Sequence, residues 1–193
     1  MILNFIDIDE IANADKIGNK AKSLCELKKN GFNVPDGFVI DSDTYTEFIK
    51  SNKINKKISE KLKKLDKNNI SNTSKYILKL FDNTSFSQDI EKQILGSLDD
   101  NKKYAVRSSG TKEDMDNYSF AGQYKTFLDT DKNSVIEKVI ECYKSMFSEV
   151  ILSYISNNSI DISNYGMSVV VQEMCDAQYS GICFTCNPIS RNR

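Results

Sequence analysis

Apolar positions recur every three to four residues through most of the first hundred residues. After that they fall in short, nearly continuous runs. In 18–30, GNKAKSLCELKKN, the residues Ala21, Leu24, Cys25 and Leu27 share a helical face with lysines between them. Gly31 follows as a left-handed helix end. Val34-Pro35-Asp36-Gly37 predicts a turn, Phe38-Val39-Ile40 a short strand, and Ser42 or Asp43 the cap of a helix through Tyr45, Phe48 and Ile49. Residues 50–67, KSNKINKKISEKLKKLDK, place Ile54, Ile58, Leu62 and Leu65 on one face of an amphipathic helix. Further helices are expected around Tyr76 to Phe81 and from Ile90 to Leu98.

The second half changes period. Residues 103–107 predict a strand, as do 124–128, with a loop between them. Val135 to Tyr154 predicts one long helix or a broken pair. Met167 to Met174 and Ser180 to Thr185 predict two strands around the turn Asp176-Ala177-Gln178-Tyr179. A helical first half and a strand-rich second half give an α+β class.

Composition narrows the function classes. With 193 residues, 39% hydrophobic, the chain can bury the core of one ordinary domain or of two small lobes. The net charge of −1 supplies no global basic field, and the lysine-dense 50–67 lacks the interleaved aromatics of a nucleic-acid surface. It is taken as a solvated helix face, with no nucleic acid as partner. No apolar run approaches the ~20 residues of a membrane span, and no signal peptide is evident, so a soluble, cytoplasmic protein is expected. There is no histidine, hence no histidine triad. Cys183-x-x-Cys186 lacks the further ligands of a zinc site and falls in a strand-like run, so its thiols are expected to be structural and buried.

Chemistry concentrates in 104–127, YAVRSSGTKEDMDNYSFAGQYKTF. Arg107 ends an apolar run and is followed by Ser108-Ser109-Gly110-Thr111, with a second small-residue turn at 119–123. A guanidinium fork beside hydroxyls and loop N–H groups suits phosphate oxygens. An ion pair of Arg107 with Glu113 or Asp114 is the simpler alternative. Lys20, after Gly18-Asn19 at a helix start, is either a phosphate contact or a solvated lysine. Val169 to Met174 is either a strand offering backbone groups to a purine edge or an ordinary sheet strand. Neither common phosphate-loop pattern occurs.

Together these stretches resemble the N-terminal nucleotide-binding part of the phosphoenolpyruvate synthase family, which includes pyruvate phosphate dikinase and rifampicin phosphotransferases. The resemblance rests on 17–41 (IGNKAKSLCELKKNGFNVPDGFVID), 104–128 (YAVRSSGTKEDMDNYSFAGQYKTFL), 167–188 (MSVVVQEMCDAQYSGICFTCNP) and the closing ISRNR. It implies an ATP-grasp-like fold, with a mostly helical lobe over 1–100 and a strand-rich lobe carrying the phosphate loop over 101–193. It also implies passage of an ATP phosphate to a histidine on another domain or chain, then to pyruvate or another acceptor. By position, Lys20 and Arg107 match phosphate contacts, with Arg107 also catalytic. Gly122 and Thr126 match positions over the phosphates, and Gln172 a nucleotide contact.

The chain departs from the family pattern at Asn19, where a glycine is usual, and at Gly110, where alanine is usual. The resemblance places the acidic Mg²⁺ ligands beyond Arg193. The expectation is therefore a C-terminally incomplete ATP-binding portion that does not turn over alone. A nucleotide-binding regulatory module and an inactive truncated remnant are the alternatives.

Overall fold

The computed structural model describes residues 1–8, 10–111, 114–115, 118–119, 124–158, 160, 166–184 and 186. Its centre is a five-stranded sheet in the order β1-β2-β7-β3-β6. These strands are β1 (Ile2–Asn4), β2 (Gly37–Ile40), β3 (Lys103–Gly110), β6 (Thr126–Asp131) and β7 (Met167–Glu173). Each neighbouring pair is antiparallel. A separate two-stranded ribbon joins β4 (Asp114–Met115) to β5 (Tyr118–Ser119). One sheet takes strands from both halves of the chain: β1 pairs with β2, and β2 pairs with β7.

β7 carries Val169, Val170 and Val171 in succession because both faces of the sheet are covered there. On one face lies α1 (Glu10–Lys29), whose Ile17, Ala21 and Cys25 pack with Phe5, Val39 and Val170. The four-residue spacing of Ala21 and Cys25 sets them in one row, and Ile17 joins the same cluster from before a break in the helix at Gly18. On the opposite face the main core joins Phe38, Val106, Val169 and Val171 to helical side chains including Phe48, Ile77, Ile94 and Tyr143. Those helices are α2 (Ser42–Ser51), α3 (Asn55–Leu62), α4 (Ile70–Leu80), α5 (Gln88–Gly96) and α6 (Lys132–Ser145). A smaller cluster packs α7 (Glu149–Asn158) against Leu62, Leu65 and Ile70.

Several details differ from the sequence reading. The cap of α2 is Asp41, whose carboxylate accepts from the Thr44 N–H at 2.9 Å. The lysine-dense stretch is two helices: α2 stops at Ser51, Lys53 turns left-handed (φ 56), and α3 restarts at Asn55. The 135–154 segment is the broken pair, α6 and α7. Residues 180–184 form no strand, although their apolar pattern suits one, because no neighbouring strand among the described residues supplies the pairing a strand needs. Tyr179 is 92% and Ile182 83% exposed. Cys183 is exposed and Cys186 half-buried, so these are not the buried thiols expected; Cys25 and Cys142 are the buried ones.

Candidate functional site

The site begins with a break in a helix. At Gly18 (φ 70, ψ 163) α1 leaves helical geometry. A Cβ there would lie 2.6 Å from Ser109 Oγ and 2.7 Å from the Gly110 carbonyl, so both the dihedral and the space demand glycine. In an unbroken helix the Ile17 carbonyl would accept from the Ala21 N–H. Here Ser109 stands between them: its Oγ donates to Ile17 O at 2.9 Å and accepts from the Ala21 N–H at 3.4 Å. Ser168 Oγ, on β7, is also within hydrogen-bond reach of Ile17 O and lies 2.6 Å from Ser109 O. Both serines are fully buried.

This arrangement fixes where the second half of α1 starts, and Lys20 lies two residues after the break. Its ammonium donates to the carbonyl of Ser108, 88 residues away in sequence and next to Arg107. Arg107 is half-buried in the middle of β3, not at its end, since the strand runs on through Gly110. One guanidinium nitrogen donates to Gln172 Oε1 at 3.2 Å. Gln172, 7% exposed, donates in turn to the Pro35 carbonyl at 3.4 Å. That relay orients the guanidinium with one of its N–H groups and leaves the rest of the fork for another acceptor. No ion pair of Arg107 exists among the described residues, while Glu113 and the Asp114 side chain lie outside them.

Thr126 is the cross-strand partner of Arg107, and Arg107 is in turn opposite Val170. These three residues therefore share the face of the sheet that α1 covers only in part. Thr126 is exposed and Leu128, two residues on, is 61% exposed. An extra residue in β6 shifts the register between Tyr104 and Val106, with Asp129 left-handed (φ 53), as in a β-bulge at a sheet edge. The structure thus brings Lys20, Arg107, Thr126 and Gln172 together around β3. Gly122 lies outside the described residues.

The hydroxyls after Arg107 do other work than the sequence suggested. Ser108 Oγ donates to the Lys125 carbonyl at 2.8 Å, and the Ser108 N–H reaches the same oxygen at 3.3 Å. Thr111 exchanges hydrogen bonds with Gly166. At the end of β7 the Glu173 N–H donates to Asp36 O at 2.7 Å and the Met174 N–H to Lys103 O at 2.9 Å. Those two backbone donors belong to the sheet and are not presented to a purine. Ser168 was missed by sequence reasoning, and its one signal was a hydroxyl within the buried run MSVVVQ. Behind the site, burial pushes the Cys142 thiol up to about 12, against the opposing pull of Lys20 and Lys125. A cleft of about 270 Å³ opens elsewhere, near the start of β3 and the end of β7. It is bordered by Phe5, Gly37, Ser97, Tyr104 and Glu173 and by the ion pair Lys28–Asp36.

Among the described residues no group of three His, Cys, Asp or Glu is placed to hold a metal ion. No helix among them is long and apolar enough to cross a membrane.

Residues 14–193 match the family model of the pyruvate phosphate dikinase AMP/ATP-binding domain. A probable phosphoenolpyruvate synthase of Methanocaldococcus jannaschii is 35% identical over an alignment of length 199, covering 96% of this chain and 17% of the relative. A rifampicin phosphotransferase of Bacillus subtilis is 35% identical over 185 residues, covering 92% and 21%. The phosphoenolpyruvate synthase of Escherichia coli is 33% identical over 187 residues, covering 89% and 24%. The chain thus spans 17% to 24% of the length of these relatives. It belongs to the family of the pyruvate phosphate dikinase AMP/ATP-binding domain.

Proposed function

We propose that this chain is the ATP-binding portion of a phosphoenolpyruvate synthase-like dikinase or phosphotransferase. ATP lies over the open face of β3 and β6, within an ATP-grasp-like arrangement completed by polypeptide outside the described residues. The observation that carries this reading is the convergence of Lys20 and Arg107, from opposite halves of the chain, on the same stretch of β3.

Two cations so placed offset the charge of a polyphosphate, and a guanidinium fork suits its oxygens. Arg107 then stabilises charge that builds on the phosphates as the terminal group departs. Gln172 holds Arg107 at the correct angle and borders the nucleotide. Thr126 flanks the phosphates beside Arg107, and Gly122 lets backbone approach them. A divalent ion, when bound, would supply further neutralisation of the phosphate charge. The Mg²⁺ ligands, and the histidine that receives the phosphate, belong to a further domain or a separate chain. The setting is the cytoplasm, where ATP is supplied. The acceptor after histidine is pyruvate or another small molecule; the named relatives differ on this point.

Thermal melting with increasing MgATP tests the reading. Saturable binding raises the melting temperature with ligand concentration by mass action, by about 2.7 kcal/mol of stability at a hundred times Kd. A melting temperature unmoved by millimolar ATP, with Arg107→Ala melting alike, contradicts it.

A further inference from the structure

The lysines of this chain form two populations. Outside residues 50–79, nine are in ion pairs with Asp or Glu. Within 50–79 there are ten lysines against two acids, Glu60 and Asp66. All ten are exposed, and among the described residues none of them is in an ion pair. Even Glu60, with Lys56 and Lys64 four residues away on either side, bridges to neither. The chain as a whole sums to −1, so the remainder is rich in acid and the positive charge is gathered on one surface.

That surface has a firm base. Ile58 and Ile77 are buried in the main core, and Leu62, Leu65 and Ile70 pack against Ile151, Leu152 and Ile155 of α7. The apolar side of α3, α4 and the turn between them is thereby held inward, and the eight lysines of this segment are left exposed to solvent. Like charges kept close without partners oppose the fold, and the cost is recovered only when an anionic surface arrives.

We infer that α3, α4 and their connecting turn form a docking surface for a compact acidic face of a protein partner. Several features favour this occupant. The patch contains lysine and no arginine, so it lacks the bidentate fork used to fix phosphates. Its one exposed large apolar side chain, Tyr76, is capped by the Lys61 ammonium 4.5 Å from the ring centroid. That leaves neither a platform for stacking bases nor an apolar anchor for a bilayer. The helices are short, about 12 Å for α3 and about 16 Å for α4 at 1.5 Å per residue. A long polyanion would overrun them onto the acid-rich remainder. A small acidic face, acting within a Debye length of about 8 Å, would not. The surface is independent of the nucleotide reading, since none of its lysines lies in the candidate site.

The test measures fluorescence anisotropy of a labelled oligo-glutamate peptide on the full chain, beside a short DNA duplex and phosphatidylserine vesicles. The peptide is expected to bind the wild type, and to weaken about tenfold or more between about 50 mM and about 200 mM salt. Lys56→Glu/Lys64→Glu/Lys75→Glu abolishes that binding, whereas Lys22→Ala/Lys103→Ala/Lys138→Ala, which removes ion-paired lysines, leaves it within about twofold. If the charge-reversed variant fails to melt cooperatively, Lys56→Gln/Lys64→Gln/Lys75→Gln replaces it, with a loss of about tenfold expected. Binding that survives these substitutions, or no binding at low salt, overturns the docking surface. Duplex or vesicles bound at least tenfold more tightly than the peptide would overturn its protein partner.

Discussion

Ser168 Oγ on β7 reaches the carbonyl of Ile17, the residue just before the break in α1. Ser109 makes the same contact from β3. Two buried hydroxyls from adjacent strands thus replace a helical hydrogen bond that the break at Gly18 removes. They hold in place the turn of helix that carries Lys20.

Removing one of them is expected to affect both stability and binding. Ser168→Ala leaves the Ile17 carbonyl with Ser109 alone. A loss of about 1–2 kcal/mol is predicted from urea unfolding, the usual cost of a buried hydrogen bond left half-made. ATP affinity is predicted to fall in the same variant, since Lys20 loses part of its support. An unchanged affinity with reduced stability would make Ser168 purely structural.

Gly18→Ala tests the break itself. The substitution combines a positive φ with contacts under 3 Å to the backbone of Ser109 and Gly110. At least about 3 kcal/mol of destabilisation is predicted, because the overlap adds to the roughly 1–3 kcal/mol that the dihedral alone costs. Gly31→Ala, also left-handed (φ 81) but with open space around it, should cost about 1 kcal/mol. Equal melting temperatures for the two variants would contradict the packing argument.

These details show what was legible in the chain. The spacing of Ala21 and Cys25 marked α1 and its buried face, Gly31 marked its end, and the valines of 169–171 marked a buried strand. The site's cations, Lys20 and Arg107, were legible through the family resemblance. The partners that hold them were not: Ser109 and Ile17 are 92 residues apart, and Arg107 and Gln172 are 65 apart. Ser108-Ser109-Gly110 resembles a turn locally but continues β3, because the serine hydroxyls are satisfied by carbonyls of Lys125 and Ile17. Conversely, 180–184 has the side-chain pattern of a strand, yet a strand also needs a neighbour, which the local sequence does not encode.

Thiol chemistry separates the two exposed cysteines from the two buried ones. Cys175 and Cys183 are exposed and should react fast with a disulfide reagent at pH 8, with Cys25 and Cys142 modified only on unfolding, as read by mass spectrometry. The raised thiol of Cys142 also sets a pH dependence. Its folded form keeps the proton to about pH 12, whereas the unfolded thiol loses it near 9. The stabilisation is therefore complete below pH 9 and is lost as pH rises from there towards 12. Cys142→Ala should flatten the fall in stability over that window; an unchanged slope would contradict the assignment.

Tyr143 is buried in a ring cluster, 5.0 Å from Tyr45 and 5.4 Å from Phe48 between centroids. Among the described residues its hydroxyl has no hydrogen-bond partner. Tyr143→Phe removes an unsatisfied polar atom and keeps the ring, so stability should rise by about 1 kcal/mol. A loss of more than about 1 kcal/mol in urea unfolding would mean that the hydroxyl is satisfied in solution.

The central claim is that Lys20 and Arg107 form one polyphosphate site. Calorimetric titration of the chain with ATP in the presence of Mg²⁺, beside Lys20→Ala and Arg107→Ala, measures it most directly. Saturable one-site binding to the wild type is expected, with at least a tenfold loss in each variant, about 1.4 kcal/mol or more, and both variants still folding cooperatively. Equal binding in all three proteins would contradict it, as would a wild type that gives no heat and gains no thermal stability at millimolar ATP.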